Sequence, residues 1–503
     1  MPLVSLDIPP GIYRHGTDLD AKNRWHDSNL VRWKNNSLRP IGGWESYVNS
    51  SGTAIQITDG SGTQTIARGA VSWVTNSSAI YLATGTYNKL FAIQADGTIL
   101  DITPGGLTAG LIDAGENLGY GGKSYGYGTY GTGRTSDGAT VGATVWTLDN
   151  WGEYLVGCST ADGAIYEWQL GAGTPAAVVA NAPTGNQAIV VTAERFLFAL
   201  GASGNPRKVS WCDKEDNTTW TPLATNEAGD IELATNGRIL AGARVRGRTL
   251  ILTSTDAHIA IYNGPPTVYG FERVGTGCGL IAPQAVASID DGAFWMGANA
   301  FYVYDGSTAK EIQCDVLDHV FDDINRSQAN KVWAVSNQKS GEVWWFYPSA
   351  SSSEPNKYAA YDYKRGYWLI GEITRTAGVD AGVYSYPVWI ENTGYLYYHE
   401  RGLSHGGVSP FAETGPIMIQ TGGNVVKATN LIPDEETLGD VSLTFKTRFY
   451  PTDTEYTYGP FSTSNPTSVR FTGRQIRMRI NGSDLKDWRV GSMRLDIQPG
   501  GKR

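Results

Sequence analysis

The chain has 503 residues, of which 41% are hydrophobic and 11% aromatic, so general disorder is excluded. The length is that of roughly three average domains, or of one long repetitive all-β unit. A formal charge of −9 argues against a protein that grips duplex DNA through a broad basic surface.

The charge is unevenly placed. Residues 470–503 hold nine Lys or Arg against Asp484, Asp487 and Asp496, a local +6 that leaves −15 on residues 1–469. Glycine, at 62 residues, exceeds its usual rate of about 7%, and 16 Trp and 27 Tyr accompany it. Aromatics suit a half-buried pleated surface and glycine suits tight turns, so short strands are expected throughout. Cys158, Cys212, Cys278 and Cys314 lie far apart without CxxC spacing, which predicts free thiols in a reducing compartment. MPLVSLDIPPG lacks the charge and apolar run of a signal peptide. No window of 18 strongly apolar residues occurs, so no membrane anchor is expected.

In chain order, the first predicted element is a hairpin within NLVRWKNNSLRPIGGW, residues 29–44. Leu30 to Trp33 pairs with Leu38 to Ile41 across an Asn35-Asn36 turn. This stretch gathers Arg32, Trp33, Arg39, Pro40 and Trp44, with no acid, histidine or cysteine among them. Residues 1–44 are read as an N-terminal segment that joins a platform or an interface.

A loose repeat then occupies residues 45–410: an apolar strand, a polar turn, and a strand of alternating aromatics. Examples are AIYLATGTYNKLFAIQADGTILDI, WGEYLVGCSTADGAIYEWQL, DGAFWMGANAFYVYDG and PVWIENTGYLYYHERG. Turn centres near Gly97, Gly163, Gly204, Ala257, Ala300, Gly341 and Gly394 recur every 41 to 66 residues. That period is the length of one four-stranded propeller blade with insertions. The longest interval holds a Gly/Tyr-rich insertion at residues 116–138, read as an exposed loop. The one convincing helix is DVLDHVFDDI, residues 315–324, where Val316, Leu317, Val320, Phe321 and Ile324 recur at helical spacing.

Residues 411–503 differ in character. RQIRMRI places Ile476, Met478 and Ile480 on one face, and GSMRLDIQ does so for Met493, Leu495 and Ile497. LTFKTRFY groups Leu443, Phe445 and Phe449 in the same way. These are one-sided antiparallel strands and make a separate β module. The expected fold class is therefore all-β: a β-propeller with an additional antiparallel β platform.

Constellations that carry chemistry are weak. NLGYGGKS ends as a phosphate-binding loop does, but Asn117 replaces the required first glycine and no helix follows. Asp315, Asp318, His319 and Asp322 share one helix face, which is the spacing of a cation site and equally of a solvated acidic face. A glycosidase needs two facing carboxyls, and Asp362, Glu342, Asp291 and Glu400 fall on different repeats. TADGAIYEW departs from a sialidase-type repeat because Gly163 directly follows Asp162. Neither GxSxG nor HExxH is present. No enzyme activity, cofactor or metal is expected. A propeller-type carbohydrate-binding protein or glycosidase is the alternative.

Three stretches together resemble a known family. DLDAKNRWHDSNLVRWKNNSLRPIGGW resembles the opening of podovirus tail hub proteins, also called tail nozzle or packaged-DNA stabilisation proteins. GFERVGTGCGLIAPQAVASIDDGAFWMGANAFYVYDG, residues 270–306, resembles their central signature, and GRQIRMRINGSDLKDWRVGSMRLDIQPGGKR resembles their basic C-terminal segment. The resemblance implies a structural virion protein assembled in the host cytoplasm. It implies a ring, typically a hexamer, at the tip of a short tail, with DNA passing through without specific binding. It also implies contacts with the tail adaptor (head-to-tail connector) protein and with tail fibre, spike or needle proteins. It further implies a platform assembled from segments distant along the chain.

Arg and Trp dominate buried interfaces. Arg32, Trp33, Arg39, Pro40 and Trp44 are therefore candidate assembly surface, together with Arg474, Arg477, Arg479, Trp488, Arg489 and Arg494. The competing expectation is that Trp33 and Trp44 only staple a blade. The basic C-terminal patch calls for a protein partner, or for salt bridges to the acidic propeller of a neighbour.

Overall fold

The computed structural model describes residues 3–60, 62–63, 65–116, 140–418, 424–451 and 453–501. Seven four-stranded antiparallel sheets follow one another as blades. Their inner strands are Ala70–Val74, Trp146–Trp151, Ala188–Val191, Ile239–Val245, Val286–Ile289, Trp333–Asn337 and Ala377–Val379. Each inner strand packs on the next and the seventh packs on the first, which closes a propeller. The seventh blade takes its outer strand, Trp44–Ser46, from the beginning of the chain, paired with Leu396–His399. The ring is thus latched by residues more than three hundred positions apart, and the N-terminal segment and the propeller overlap at Trp44.

The aromatic-rich strands fill the blade interfaces. Trp146, Trp168, Trp295, Trp344, Trp345, Trp368 and Trp389 are fully buried there. Close packing sets the need for glycine: a Cβ on Gly85 would stand 2.2 Å from the Trp146 ring of the next blade. Each of the seven turn centres read from the repeat falls in a different blade. The turn assigned to Ala257 lies slightly earlier, at Ser254 and Thr255, and Ala257 itself sits in the strand Asp256–Gly264. The predicted helix is shorter than its pattern, Leu317–Phe321, because Ile324 leaves it to bridge Ser349. The insertion at 116–138 falls almost wholly outside the described residues, as does NLGYGGKS.

The platform is built from both chain ends. One sheet orders Leu3–Leu6, Met493–Pro499, Val426–Ile432 and Thr467–Gly473. The other orders Trp25–Asn29, Phe411–Thr414, Gln475–Gly482, Val441–Arg448 and Tyr456–Ser462. Alternation puts Leu443, Phe445, Ile476, Met478, Ile480, Leu495 and Ile497 inside, with Phe445 stacked on Phe471 at 4.6 Å. Phe449 lies beyond its strand, half-buried. The expected all-β class, a propeller with a platform from both termini, is the observed one.

The platform docks on the outer strand of the sixth blade, Tyr367–Glu372. Ile12 N–H donates to the Trp368 carbonyl at 2.9 Å, and Ser28 Oγ donates to the Ile370 carbonyl at 2.8 Å. Glu372 N–H donates to Asn29 Oδ1 at 2.9 Å. One hydrophobic cluster runs unbroken from Leu6 and Ile497 in the platform to Trp345 and Trp389 in the blades. Among the described residues no helix is long and apolar enough to cross a membrane.

Candidate functional site

The hairpin forms as its sequence requires. Val31–Lys34 pairs with Ser37–Pro40, and Asn35 and Asn36 take φ of 52° and 62°, a left-handed pair that asparagine tolerates. It lies between the two modules. On the platform side, Leu38 and Val490 exchange backbone hydrogen bonds of 2.8 and 2.9 Å. On the propeller side, Tyr367 Oη donates to the Trp33 carbonyl. The Trp33 ring, 3% exposed, packs 5.8 Å from Trp25 and 6.0 Å from Tyr367.

Arg32 is the electrostatic centre of this seam. Its guanidinium pairs with Glu342 at 3.0 Å and with Glu400 at 2.5 Å, from the sixth blade and the end of the seventh. Glu342 also accepts from Trp344 Nε1 at 3.0 Å. Glu400 accepts from Gly42 N–H at 3.1 Å and from Asn337 Nδ2 at 3.2 Å. The two acids are pushed apart. Burial raises the Glu342 carboxyl, and Arg32 offsets only part of that. Burial also works against Glu400, but Arg32 and the donors around it outweigh burial and hold the carboxyl low. Burial opposes the Arg32 charge, yet the two carboxylates more than compensate and keep it protonated.

Trp44 latches the ring. It pairs with His399 across the closing strand, and its ring lies 5.5 Å from both His399 and His405. Arg375 sits 5.2 Å over that ring and donates through Nε to His399 Nε2 at 2.9 Å. Burial drives His399 far below the usual imidazole range, so it is the neutral acceptor of that bond. Burial also lowers Arg375, to about 10.

These positions correct part of the assembly-surface expectation. Trp33, Pro40 and Trp488 are buried inside their own chain and leave no face for a partner. Arg32 is spent on Glu342 and Glu400. The basic C-terminal patch is largely neutralised within the chain: Arg448 and Arg477 share Asp18, and Arg477 lies 3.3 Å from Glu455. Arg479 and Lys446 meet Glu413 at 3.2 and 2.7 Å. Burial raises the Asp18 carboxyl, but Arg448 and Arg477 reverse that and hold it low. Arg474 lies 5.1 Å over the Tyr450 ring. Arg39 pairs with Asp487 at 3.1 Å, Arg489 pairs with Glu436 at 3.1 Å, and Arg489 and Arg494 are exposed. Trp44 stays half-buried.

Other candidates resolve in the same way. Asp315 pairs with Arg24 at 3.3 Å, and Asp318 takes Gly16 N–H at 2.9 Å beside His15. Burial pushes His319 down to about 3. Among the described residues no group of three His, Cys, Asp or Glu is placed to hold a metal. Of the four carboxylates weighed for glycoside chemistry, Glu342 and Glu400 meet at Arg32. Asp362 is the cross-strand neighbour of Glu342 and is bound to Arg365 at 2.7 Å. Asp291 lies on the fifth blade, paired with Arg246. Asp162 accepts from Ala164 N–H and Tyr166 Oη, a turn-stabilising role. The ion pairs of Arg32 span 310 and 368 positions, and no local signal announces them.

No protein-family profile matches the chain, and no curated protein matches it. Among solved structures it is similar to a streptogramin B lyase, at 8% identity and a TM-score of 0.40, over 66% of this chain and 92% of that one. Virginiamycin B lyase from Staphylococcus aureus matches at 9% identity and 0.42, over 67% and 94%. PorZ, a surface component of the type-IX secretion system of Porphyromonas gingivalis, matches at 10% and 0.37, over 78% and 45%. These likenesses concern the fold alone.

Proposed function

We propose that the chain is a structural protein of a short-tailed bacteriophage, forming the ring at the distal tail that lines or closes the DNA exit path. In this reading the ring docks the adaptor protein above it and fibres, spikes or a needle at its surface. The observation that carries it is the division of the chain. Residues 3–29 and 411–501 build one sheet module around a propeller inserted between them, and the resemblance of the three sequence stretches implies that arrangement. The hairpin supports a load-bearing role, because it ties both modules by backbone pairing, a buried tryptophan and a buried ion triad. The acidic chain suits a conduit, since each basic contact to phosphate would retard passing DNA.

A carbohydrate-acting propeller has one observation in its favour, the approach of Glu342 and Glu400. Against it, Arg32 stands between the two carboxylates and donates hydrogen bonds to both. Quantitative mass spectrometry of purified particles tests the tail reading. The six-membered ring that the resemblance implies would give about six copies of this chain per twelve portal subunits. Absence from particles refutes it, and glycan hydrolysis lost in Glu342→Gln would establish the other reading.

A further inference from the structure

A groove opens on the face of the propeller where the sixth and seventh blades meet, beneath the hairpin. Its cavity of about 370 Å³ has Arg39, Lys339, Lys364 and Arg365 among its lining, above Arg32 and its two carboxylates. Past Lys34 and Arg39 it continues into a second hollow of about 260 Å³ that adds Arg489. Together the two hold seven basic side chains against Glu342, Glu400 and Asp487, on a chain whose net charge is −9. Among the described residues Lys34, Lys339 and Lys364 enter no ion pair, and all three are exposed.

The shape selects the class of occupant. A cleft a few side chains wide excludes a duplex, which needs a broad basic surface. Trp33 is the one aromatic residue lining it and is 3% exposed, so no ring face is offered for a sugar to stack on. An extended acidic peptide segment fits both the width and the charge.

The chain carries such a segment. TPLATNEAGDIE, residues 221–232, ends in the outer strand of the third blade, Gly229–Glu232, whose outward edge has no strand partner among the described residues. Asp230 and Glu232 are exposed, and Leu223 and Ile231 expose 61% and 36% of their surface. Asp230 and Glu232 are held by surface pairs to Lys208 at 3.0 Å and Arg207 at 3.4 Å, which contribute little and exchange readily. The groove rim matches the apolar part with Leu403, 43% exposed. In a ring of seven blades the third lies diametrically opposite the junction of the sixth and seventh. A contact between these two surfaces is head-to-tail, the kind that builds closed rings.

We propose that the basic groove between the sixth and seventh blades receives the acidic edge Gly229–Glu232 of a second copy of this chain. The proposal deepens the ring reading by naming the contact, and the two fail separately. The test is sedimentation of the full chain as wild type, as Lys339→Glu/Lys364→Glu, and as Asp230→Lys/Glu232→Lys, with circular dichroism to confirm folding. The wild type associates, and added salt weakens the association. Each folded variant alone associates about tenfold more weakly or not at all, and an equimolar mixture of the two recovers association. A monomeric wild type, a groove variant that associates normally, or a mixture that stays monomeric each overturns it. Particles that carry the groove variant in an unchanged ring overturn this contact and leave the tail reading standing. Absence of the wild-type chain from particles refutes the tail reading, while loss of association in each variant with recovery in the mixture upholds the contact.

Discussion

Arg32→Met is the most informative single perturbation. Arg32 is 11% exposed at its side chain, and Glu342 and Glu400 are 2% and 13% exposed, so the triad is largely withdrawn from water. Removing one member of such a network leaves its partners as uncompensated buried charges, at a cost of about 3–5 kcal/mol. The loss is measured by denaturant unfolding at neutral pH, followed by tryptophan fluorescence. It carries a pH signature. Without Arg32, burial raises both carboxyls above their unfolded values near 4.5. The folded state then binds more protons than the unfolded state, so stability falls as pH rises through that interval. The deficit relative to wild type is therefore largest near pH 7 and narrows as pH falls towards 5. Adding Glu342→Gln and Glu400→Gln removes the stranded charges and keeps acceptors for Trp344, Gly42 and Asn337. It recovers about 2 kcal/mol or more of the loss. A loss below about 1 kcal/mol in the single variant, or no recovery in the triple, refutes the view that this triad locks hairpin to propeller.

Trp33→Ala removes a fully buried ring from the seam and costs about 3–5 kcal/mol in unfolding free energy. Trp44→Ala acts on a half-buried latch and costs about 2 kcal/mol, and a larger loss than for Trp33→Ala would contradict the burial order. His399 is held neutral by burial, its folded pKa well below 6.5, so the unfolded chain binds its proton first as pH falls. Its contribution is complete above that value and is lost below it, by up to about 1.4 kcal/mol per pH unit, a slope that His399→Gln removes. All four cysteines are free, and burial pushes Cys212 up to about 12 and Cys278 up to about 11. A thiol reagent should label none of the buried Cys158, Cys212 and Cys278 in the folded protein and all four thiols in denaturant, Cys314 being half-buried; fast native labelling of those three would show the burial to be wrong.

Legibility in the sequence follows the range of the interactions. The hairpin was readable because a two-residue turn with two asparagines is a local device, and its observed register differs from the expected one only at the ends. The blades were readable as a class because each carries its own turn, but their number was not, and only the sheet pairing fixes it at seven. Alternation in RQIRMRI and GSMRLDIQ gave the inward faces of the platform. What stayed hidden depends on contacts across hundreds of positions. Glu342 and Glu400 sit on separate repeats, and only ring closure brings both to Arg32. Trp33 and Trp488 have the composition of an interface and lie in one, but it joins two modules of the same chain. From residue type alone, an interface within a chain and an interface between chains look identical.

The propeller axis bears on how a ring of these chains would conduct DNA. The segments that enter the first and second blades meet residues of the fifth and sixth, two or three blades away round the ring. Arg68, 2% exposed, forks onto Glu354 at 2.6 and 2.7 Å. Lys331, with its side chain wholly buried, bridges Asp113 to Glu354. Asn330 donates to the Ala143 carbonyl at 2.7 Å, and Gln284 donates to the Arg68 and Trp146 carbonyls. The contacts of Lys331, Asn330 and Gln284 join blades three apart in a ring of seven, the widest separation it allows, so this mouth of the propeller is bridged by bonded backbone and paired charge. On that side Gly115–Glu116 pairs with Thr140–Val141. Breaking that network would strand Arg68 and Lys331 as buried charges, which makes the closure a fixed part of the fold. A path for DNA in the proposed ring therefore runs between copies of the chain, along whatever surface their contacts leave open. In that proposed ring the propeller would be a solid body that spaces the copies apart.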